Sequence, residues 1–231
     1  MQKKVIAAIA IFLMGVAGGL ASRVFWPYVG NGSMEQGPVY LTETKQVYIQ
    51  ENTALIGAVE KVERAVVAVR TETQAGKILE GSGLVVTSDG LMVTLVELVP
   101  FGSDFNFFVE GERVSYQILK RDLEENLALI KISKSSLTTA GFARLEKLKM
   151  GERVFLIGTV FEEEVPLRLV NEGIVRAFDR SSIQTNIIES YSLSGSPLFD
   201  IEGGILGINT VDSEGRISAI PVSKIRDFVG I

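Results

Sequence analysis

The sequence predicts an all-β domain, and two observations lead to that class. From Ala65 onward, short runs rich in β-branched and aromatic residues alternate with turn residues such as Asp89-Gly90 and Glu110-Gly111. Over the same region almost no apolar pattern has the period of a long helix. Hairpins in this succession are typical of antiparallel strands that close into barrels or sandwiches.

Two β units and two short helices are predicted within residues 51–231. The polar stretch 133–152 is the candidate link between the units, which we expect at about 65–133 and 150–222. Asn52 or Thr53 can cap an amphipathic helix ahead of the first strand. The apolar residues on one face of that helix are Leu55, Ile56, Val59 and Val62. Ser223 can cap a C-terminal helix at 223–230.

The N-terminal residues 1–29 are predicted to form a membrane anchor. Lys3 and Lys4 precede an uncharged run over 5–22, and with the residues that follow it is long enough to cross a bilayer as a helix. The lysines place the N-terminus in the cytoplasm and the folded domain outside. An interfacial aromatic belt is predicted at Phe25, Trp26 and Tyr28. The alternative is a cleaved signal peptide and a secreted protein, because 19–21 carries the small residues of a cleavage site.

Residues 30–50 are predicted to form a flexible spacer between the anchor and the domain. The stretch is polar and contains glycine, and it shows no clear helical period. Such a composition suits a segment that holds a folded domain away from a membrane surface.

Composition narrows the possible functions. The net charge of −5 argues against nucleic acid as a partner, because phosphate binding needs clustered Lys and Arg. The chain has neither cysteine nor histidine, so disulfides are excluded and the usual zinc or copper ligands are missing. We therefore expect no metal and no cofactor.

Six ordered segments carry a resemblance to a known family. They begin at Gly81 (GSGLVVTSDGLMVTLVELV), Glu125 (ENLALIKI), Lys149 (KMGERVFLIGTV), Asn171 (NEGIVRAF), Ser182 (SIQTNIIESYSLSGSPLFDIEGGILGINT) and Ile217 (ISAIPVSKI). Their order and spacing resemble the protease domain of HtrA/Deg-type trypsin-like serine proteases. The resemblance implies two packed antiparallel β-barrels with catalytic groups in the cleft between them. The family's frequent PDZ domain is not expected here, because the sequence ends at Ile231.

Two of the three catalytic positions that the resemblance implies hold other residues. The family has a Thr-x-x-His pattern where this chain has Thr94 followed by Glu97 three positions later, so Glu97 stands in place of the base. The family's acidic orienting residue precedes the Leu-Ala-x-x-Lys strand, and Asn126 occupies that position. A serine hydroxyl is a poor nucleophile without a neighbouring base.

The nucleophile position itself is kept at Ser194. The family pattern around it is Gly-Asn-Ser-Gly-Gly-Pro-Leu, and three of those residues are replaced here, by Ser192, Leu193 and Ser196. The resemblance assigns the backbone N–H groups of Ser192 and Ser194 to the oxyanion hole. A side chain at Ser192 disfavours conformations that glycine adopts, so we expect that hole to be damaged.

These substitutions predict a protease homologue without proteolytic activity that binds or scaffolds proteins. Its expected partner is an extended peptide or unfolded segment held by β-strand addition. The resemblance also implies a homotrimer or assembly with active relatives. The alternative is an active endopeptidase in which Glu97 serves Ser194 as a base under acidic conditions.

Overall fold

The computed structural model of the chain describes Ile9, 11–20, Arg23 and 53–231. The chain divides into two compact units, Met1–Ile49 and Gln50–Ile231. In the first unit, residues 11–20 form helix α1, whose large apolar side chains are exposed. Within the described ranges, no helix combines the length and the apolarity that crossing a membrane requires. The predicted spacer at 30–50, the aromatic belt and most of the rest of the predicted anchor outside 11–20 lie beyond the described residues.

A seven-stranded antiparallel sheet forms the first lobe of the second unit. Its strands follow the predicted hairpins, with β2 joined to β3 through the turn at Asp89-Gly90 and β4 to β5 through the turn at Glu110-Gly111. The bounds are β1 Val66–Glu72, β2 Ile78–Val85, β3 Leu91–Leu95, β4 Asp104–Val109, β5 Glu112–Val114, β6 Tyr116–Asp122 and β7 Leu127–Ile132. The spatial order is β5-β4-β1-β2-β3-β7-β6.

The predicted pair of packed barrels is confirmed in part, because the first lobe is a half-barrel. Its edge strands are β5 and β6, and no ladder joins them in the described structure. β5 has only three residues, and the chain bends at Ser115 and continues as β6 on the other edge. The two edges are therefore joined by the covalent chain, and the lobe is a half-barrel.

The second lobe is a closed antiparallel barrel, as predicted. Its order is β10-β13-β12-β11-β8-β9. Inward and outward residues alternate along β10, which is the pattern of a strand with one buried face. The bounds are β8 Arg153–Glu162, β9 Val165–Phe178, β10 Ile183–Ile188, β11 Pro197–Asp200, β12 Ile205–Val211 and β13 Arg216–Pro221.

Two helices flank the lobes, and both differ in detail from the predictions. Helix α2 spans 53–62 and buries Val62 and Ala58, whereas Ile56 is 51% exposed. The small side chain of Ala58 allows close approach to the core. Helix α3 spans Val222–Val229 and its N-cap is Pro221, without a side-chain cap, so the prediction of a Ser223 cap is wrong. α3 ends at Gly230, whose φ of +85° is the left-handed conformation that favours glycine.

Buried hydroxyl groups join the two lobes at one point. The Ser82 hydroxyl of β2 lies 2.9 Å from the Thr159 hydroxyl of β8, and the Thr159 N–H donates to Ser82 Oγ at 2.9 Å. The Thr159 hydroxyl donates to the Gly81 carbonyl at 3.1 Å. Both side chains are almost fully buried. The contact therefore fixes β2 against β8 and sets the position of everything that β2 touches.

Thr159→Val tests this contact. The variant keeps the shape of the side chain but removes the hydroxyl, so Ser82 and Gly81 each lose a buried partner. We expect the free energy of unfolding of the full-length protein in mild detergent to fall by about 1–3 kcal/mol. Thr210→Val is the matched control, because the Thr210 hydroxyl donates to Ser218 O within the barrel and is only half-buried. An equal loss in both variants would contradict the special role of the contact between the lobes.

Candidate functional site

Ser194 lies at the end of a short 3-10 turn between β10 and β11. The turn spans Tyr191–Leu193, and the Ser194 N–H donates to the Tyr191 carbonyl at 2.9 Å. The Leu193 N–H donates to the Ser190 carbonyl at 3.0 Å. One of the two N–H groups that the resemblance assigns to an oxyanion hole is thus already bonded inside the turn.

Leu193 explains why the chain adopts this turn. Its side chain is fully buried in the core of the closed barrel, and it packs against Gly158 of β8. Burying a leucine side chain contributes roughly 1.5–3 kcal/mol, which favours the backbone geometry that directs it inward. The family's asparagine at this position would need hydrogen-bond partners in the same apolar space. Leucine in place of asparagine at position 193 therefore stabilises the closed form of the turn, in which the Ser194 N–H is bonded to the Tyr191 carbonyl.

The backbone around Ser194 packs closely against strand β2. The Ser82 N–H donates to the Ser194 carbonyl at 2.9 Å. Gly195 has a φ of +77°, and a Cβ there would lie 2.2 Å from the Ser82 carbonyl oxygen. Only glycine fits this place. The Gly195 N–H donates to the Asn209 carbonyl, which ties the turn to β12 as well.

The Ser194 side chain is buried and isolated. Its residue is 0% exposed, and among the described residues its Oγ has no hydrogen-bond partner. The hydroxyl is therefore not bonded to Glu97, and no carboxylate polarises it in this arrangement.

Glu97 lies in the 3-10 turn Val96–Leu98 that follows β3. Its N–H donates to Asn126 Oδ1 at 3.3 Å, and the Val96 N–H donates to the Asn126 carbonyl at 3.2 Å. Asn126 has a φ of +54°, a left-handed conformation that asparagine tolerates better than most residues. The Tyr191 hydroxyl and the Asn126 side chain lie close enough to the Glu97 carboxyl to lower its pKa. The structure thus brings Glu97 and Asn126 together, as the resemblance implies.

The electrostatics of this group are set mainly by burial. Burial raises the pKa of the Glu97 carboxyl, and the hydrogen bonds from Tyr191 and Asn126 offset only part of that increase. The net shift of the Glu97 pKa is therefore upward. Burial and the Glu97 carboxylate raise the pKa of the Tyr191 hydroxyl to about 12. Tyr191 is therefore a neutral donor at physiological pH.

Ser192, the other predicted oxyanion residue, is half-buried at the site. Its hydroxyl lies 2.6 Å from the Ser190 hydroxyl, so its side chain bonds within the turn. Tyr191 was not identified from the sequence, because its partner Glu97 is far away along the chain and belongs to the other lobe. No spacing pattern in the sequence marks that contact.

The two packed antiparallel lobes, with the Ser194 turn at their junction, match the trypsin-like fold that the resemblance implies. Comparisons with known proteins agree. The family model of the trypsin-like peptidase domain matches residues 81–208, more than half of the chain. The chain belongs to that family.

The relatives are HtrA-type and DegP-like. Serine protease HTRA1 of Xenopus laevis is 36% identical over 166 residues, which cover 64% of this chain and 35% of that protein. A probable periplasmic serine endoprotease DegP-like of Rhizobium meliloti (strain 1021) is 30% identical over 166 residues, which cover 65% of this chain and 32% of that protein. The chain thus spans about a third of the length of these curated relatives.

A solved structure described as HtrA-type protease AlgW with tripeptide has the same fold. Its TM-score is 0.68 at 24% sequence identity, and the match covers 76% of this chain and 62% of that chain. With the curated relatives, this match makes the chain an HtrA-like homologue of trypsin-type serine proteases.

The raised pKa of Glu97 predicts how stability depends on pH. The folded protein binds the Glu97 proton more tightly than the unfolded chain does. The stability that this proton contributes is fully present below the ordinary pKa of 4.5 and is lost as pH rises through the folded value. Relative to Glu97→Gln, the wild type should therefore lose unfolding free energy as pH increases from about 4.5.

Urea unfolding of both proteins across pH 4–8 measures this difference. Tyr191→Phe removes a hydrogen bond that lowers the Glu97 pKa, so in that background the loss should extend to higher pH. A constant difference between wild type and Glu97→Gln at every pH would contradict the raised pKa.

Proposed function

We propose that this protein is a catalytically inactive HtrA-like homologue that binds extended polypeptide segments. The observation that carries the proposal is the state of Ser194: within the described part of the chain its hydroxyl has no hydrogen-bond partner, and its N–H is bonded to the Tyr191 carbonyl. Serine hydrolases need a base at the hydroxyl and free N–H donors beside it. Among the described residues no base is bonded to the Ser194 hydroxyl, and one of the two N–H donors is already bonded within the turn.

One observation favours a second candidate, an active endopeptidase with Glu97 as the base. A carboxyl whose pKa is raised by burial is a stronger base than an exposed one. Tyr191 and Asn126 lower the pKa of that carboxyl and so make it a weaker base. Among the described residues, Ser194 Oγ is not hydrogen-bonded to it. Catalysis would require the turn to open and Tyr191 to release Glu97.

Peptide binding is compatible with the loss of chemistry. β-strand addition uses backbone N–H and C=O groups and needs no triad. The related AlgW structure is described as containing a tripeptide, which supports a peptide as the class of ligand here. A homotrimer, or assembly with active relatives, is part of the same proposal.

The apolar N-terminal run supports attachment to a membrane. Lys3 and Lys4 precede it, and the described part, 11–20, is helical with exposed apolar side chains. We propose a single span with the N-terminus in the cytoplasm and the domain on the opposite side; the alternative is secretion after cleavage.

Active-site labelling tests the central part of the proposal. A fluorophosphonate probe at neutral pH should not label Ser194 in the full-length protein, because nothing polarises its hydroxyl. Labelling is read by gel fluorescence, with Ser194→Ala as the control. Signal that disappears in Ser194→Ala would overturn the proposal. If that signal also disappeared in Glu97→Gln, the carboxylate mechanism would be correct.

Fractionation tests the membrane attachment. The full-length protein should sediment with membranes and resist extraction by high salt, because apolar burial holds it there. Protease added on the outer side should cut within 30–50 and release the domain. Recovery of a soluble protein whose N-terminus lies near Ser22 would support the cleaved signal peptide instead.

A further inference from the structure

The N-terminal half of β9 is a free sheet edge. β9 pairs with β8 along Val165–Ile174, but it pairs with β10 only through Val175, Ala177 and Phe178. Among the described residues, no strand pairs with the other side of 165–170. An exposed edge of this kind presents unpaired N–H and C=O groups, which can bind another strand.

The direction of these backbone groups follows from the hairpin. Glu163 and Glu164 both have positive φ and form a two-residue turn that closes on the pair Glu162 and Val165. In antiparallel pairs, hydrogen-bonded and non-hydrogen-bonded positions alternate, so the even-numbered residues of β9 direct their N–H and C=O groups away from β8. Arg168 and Val170 therefore offer both groups to the edge, and Pro166 offers its carbonyl.

Two side-chain bonds confirm the alternation and limit the free edge. The Glu172 N–H donates to Asn171 Oδ1 at 2.8 Å, and the Ile174 N–H donates to Asn186 Oδ1 at 2.7 Å. Both groups point away from β8, and both are occupied. The open stretch is therefore 165–170.

The side chains along this edge indicate what an added strand would carry. On one face, Val165, Leu167 and Leu169 are 66%, 43% and 37% exposed, so they form an apolar row. On the other face, Pro166 and Arg168 line a groove of about 520 Å³ against the first lobe, together with part of Leu167 and with the charged residues Glu63, Arg64 and Glu110. Val66, Ala68 and Phe108 are the apolar residues of the groove on the first-lobe side. Arg168 has one long ion pair there, 3.8 Å to Glu63.

Two registers for pairing this edge with a second copy of the chain are unfavourable. Antiparallel self-pairing centred on Arg168 would place two guanidinium groups opposite each other, which is destabilising. Centring on Val170 would require the N–H groups of Glu172 and Ile174, which are already bonded.

We infer that 165–170 of β9 binds an extended peptide as an added antiparallel strand, with alternate apolar residues on Val165, Leu167 and Leu169 and with an acidic residue beside Arg168. The orientation follows the antiparallel pairing of every ladder in both lobes. An aromatic residue two positions from the acidic one enters the groove. The inference rests on the proposed function and locates its peptide site on β9, outside the Ser194 turn.

Fluorescence anisotropy with a designed peptide tests this site. The probe is fluorescein-Ser-Val-Asp-Val-Tyr-Val-Ser-amide, added to the full-length protein in mild detergent. N-methylation of its Asp and Tyr residues blocks the N–H groups that face β9 and should weaken binding about tenfold. N-methylation of the first and last valines is the matched control and should leave binding unchanged, because those N–H groups point away from β9.

Variants of the protein give an independent test. Val170→Pro removes one outward N–H without removing a bond to β8 and should weaken binding about tenfold, while Val170→Thr should not. Arg168→Glu should weaken binding of the acidic probe and favour the same peptide with Lys in place of Asp.

The outcomes separate the site from the proposed function. If the probe binds and is insensitive to N-methylation at Asp and Tyr, the β9 site is wrong, and peptide binding itself stands. If neither the probe nor reduced, unfolded α-lactalbumin binds the wild type, both the site and the proposed function are overturned. Self-association that Val170→Pro abolishes would make a second copy the occupant and overturn the peptide site.

Discussion

The close approach between strand β2 and the turn that carries Ser194 is the contact on which the rest of the site depends. Ser82 of the first lobe bonds twice to the second lobe here: its hydroxyl contacts Thr159, and its N–H donates to the Ser194 carbonyl. Glycine at 195 allows the approach, because any Cβ would collide with the Ser82 carbonyl. The Thr94 hydroxyl donates to that same carbonyl at 2.6 Å, so β3 is fixed as well. Because β3 leads directly into the turn that carries Glu97, this contact also places the carboxylate.

The chemistry of the site follows from what the turn does with its groups. Packing of Leu193 inside the barrel and bonding of the Ser194 N–H within the turn stabilise one closed arrangement. Tyr191, held by the same turn, lies beside Glu97 across the junction, and the carboxylate helps to raise the pKa of the Tyr191 hydroxyl. Groups that a serine protease uses in catalysis thereby make structural contacts here, which is the basis of the proposal that the scaffold binds peptides without cleaving them.

Local patterns in the sequence predicted the strands well, because the turn residues and the alternation of apolar residues are local signals. The half-barrel form of the first lobe could not be predicted, since it depends on the chain passing at Ser115 from pairing with β4 to pairing with β7, which no local pattern marks. Ile56 was placed on the buried face because helical spacing does not show which side of α2 meets the core. Glu97, Asn126 and Ser194 were located by motif, but the motif gives no information on rotamers or on the turn that isolates the Ser194 hydroxyl. Tyr191 was missed because its contact with Glu97 joins two lobes.

The most direct measurement of the central claim is the hydrolysis rate of an activated ester by a repaired protein. The variant combines Glu97→His, Asn126→Asp, Ser192→Gly, Leu193→Asn and Ser196→Gly, with Ser194→Ala in the same background as the control. Because base, orienting residue and oxyanion donors act as one unit, the combined variant should gain far more activity than the single changes suggest. Serine-dependent hydrolysis at the same rate by the wild type would contradict the account, and so would a folded repaired variant that remains inactive.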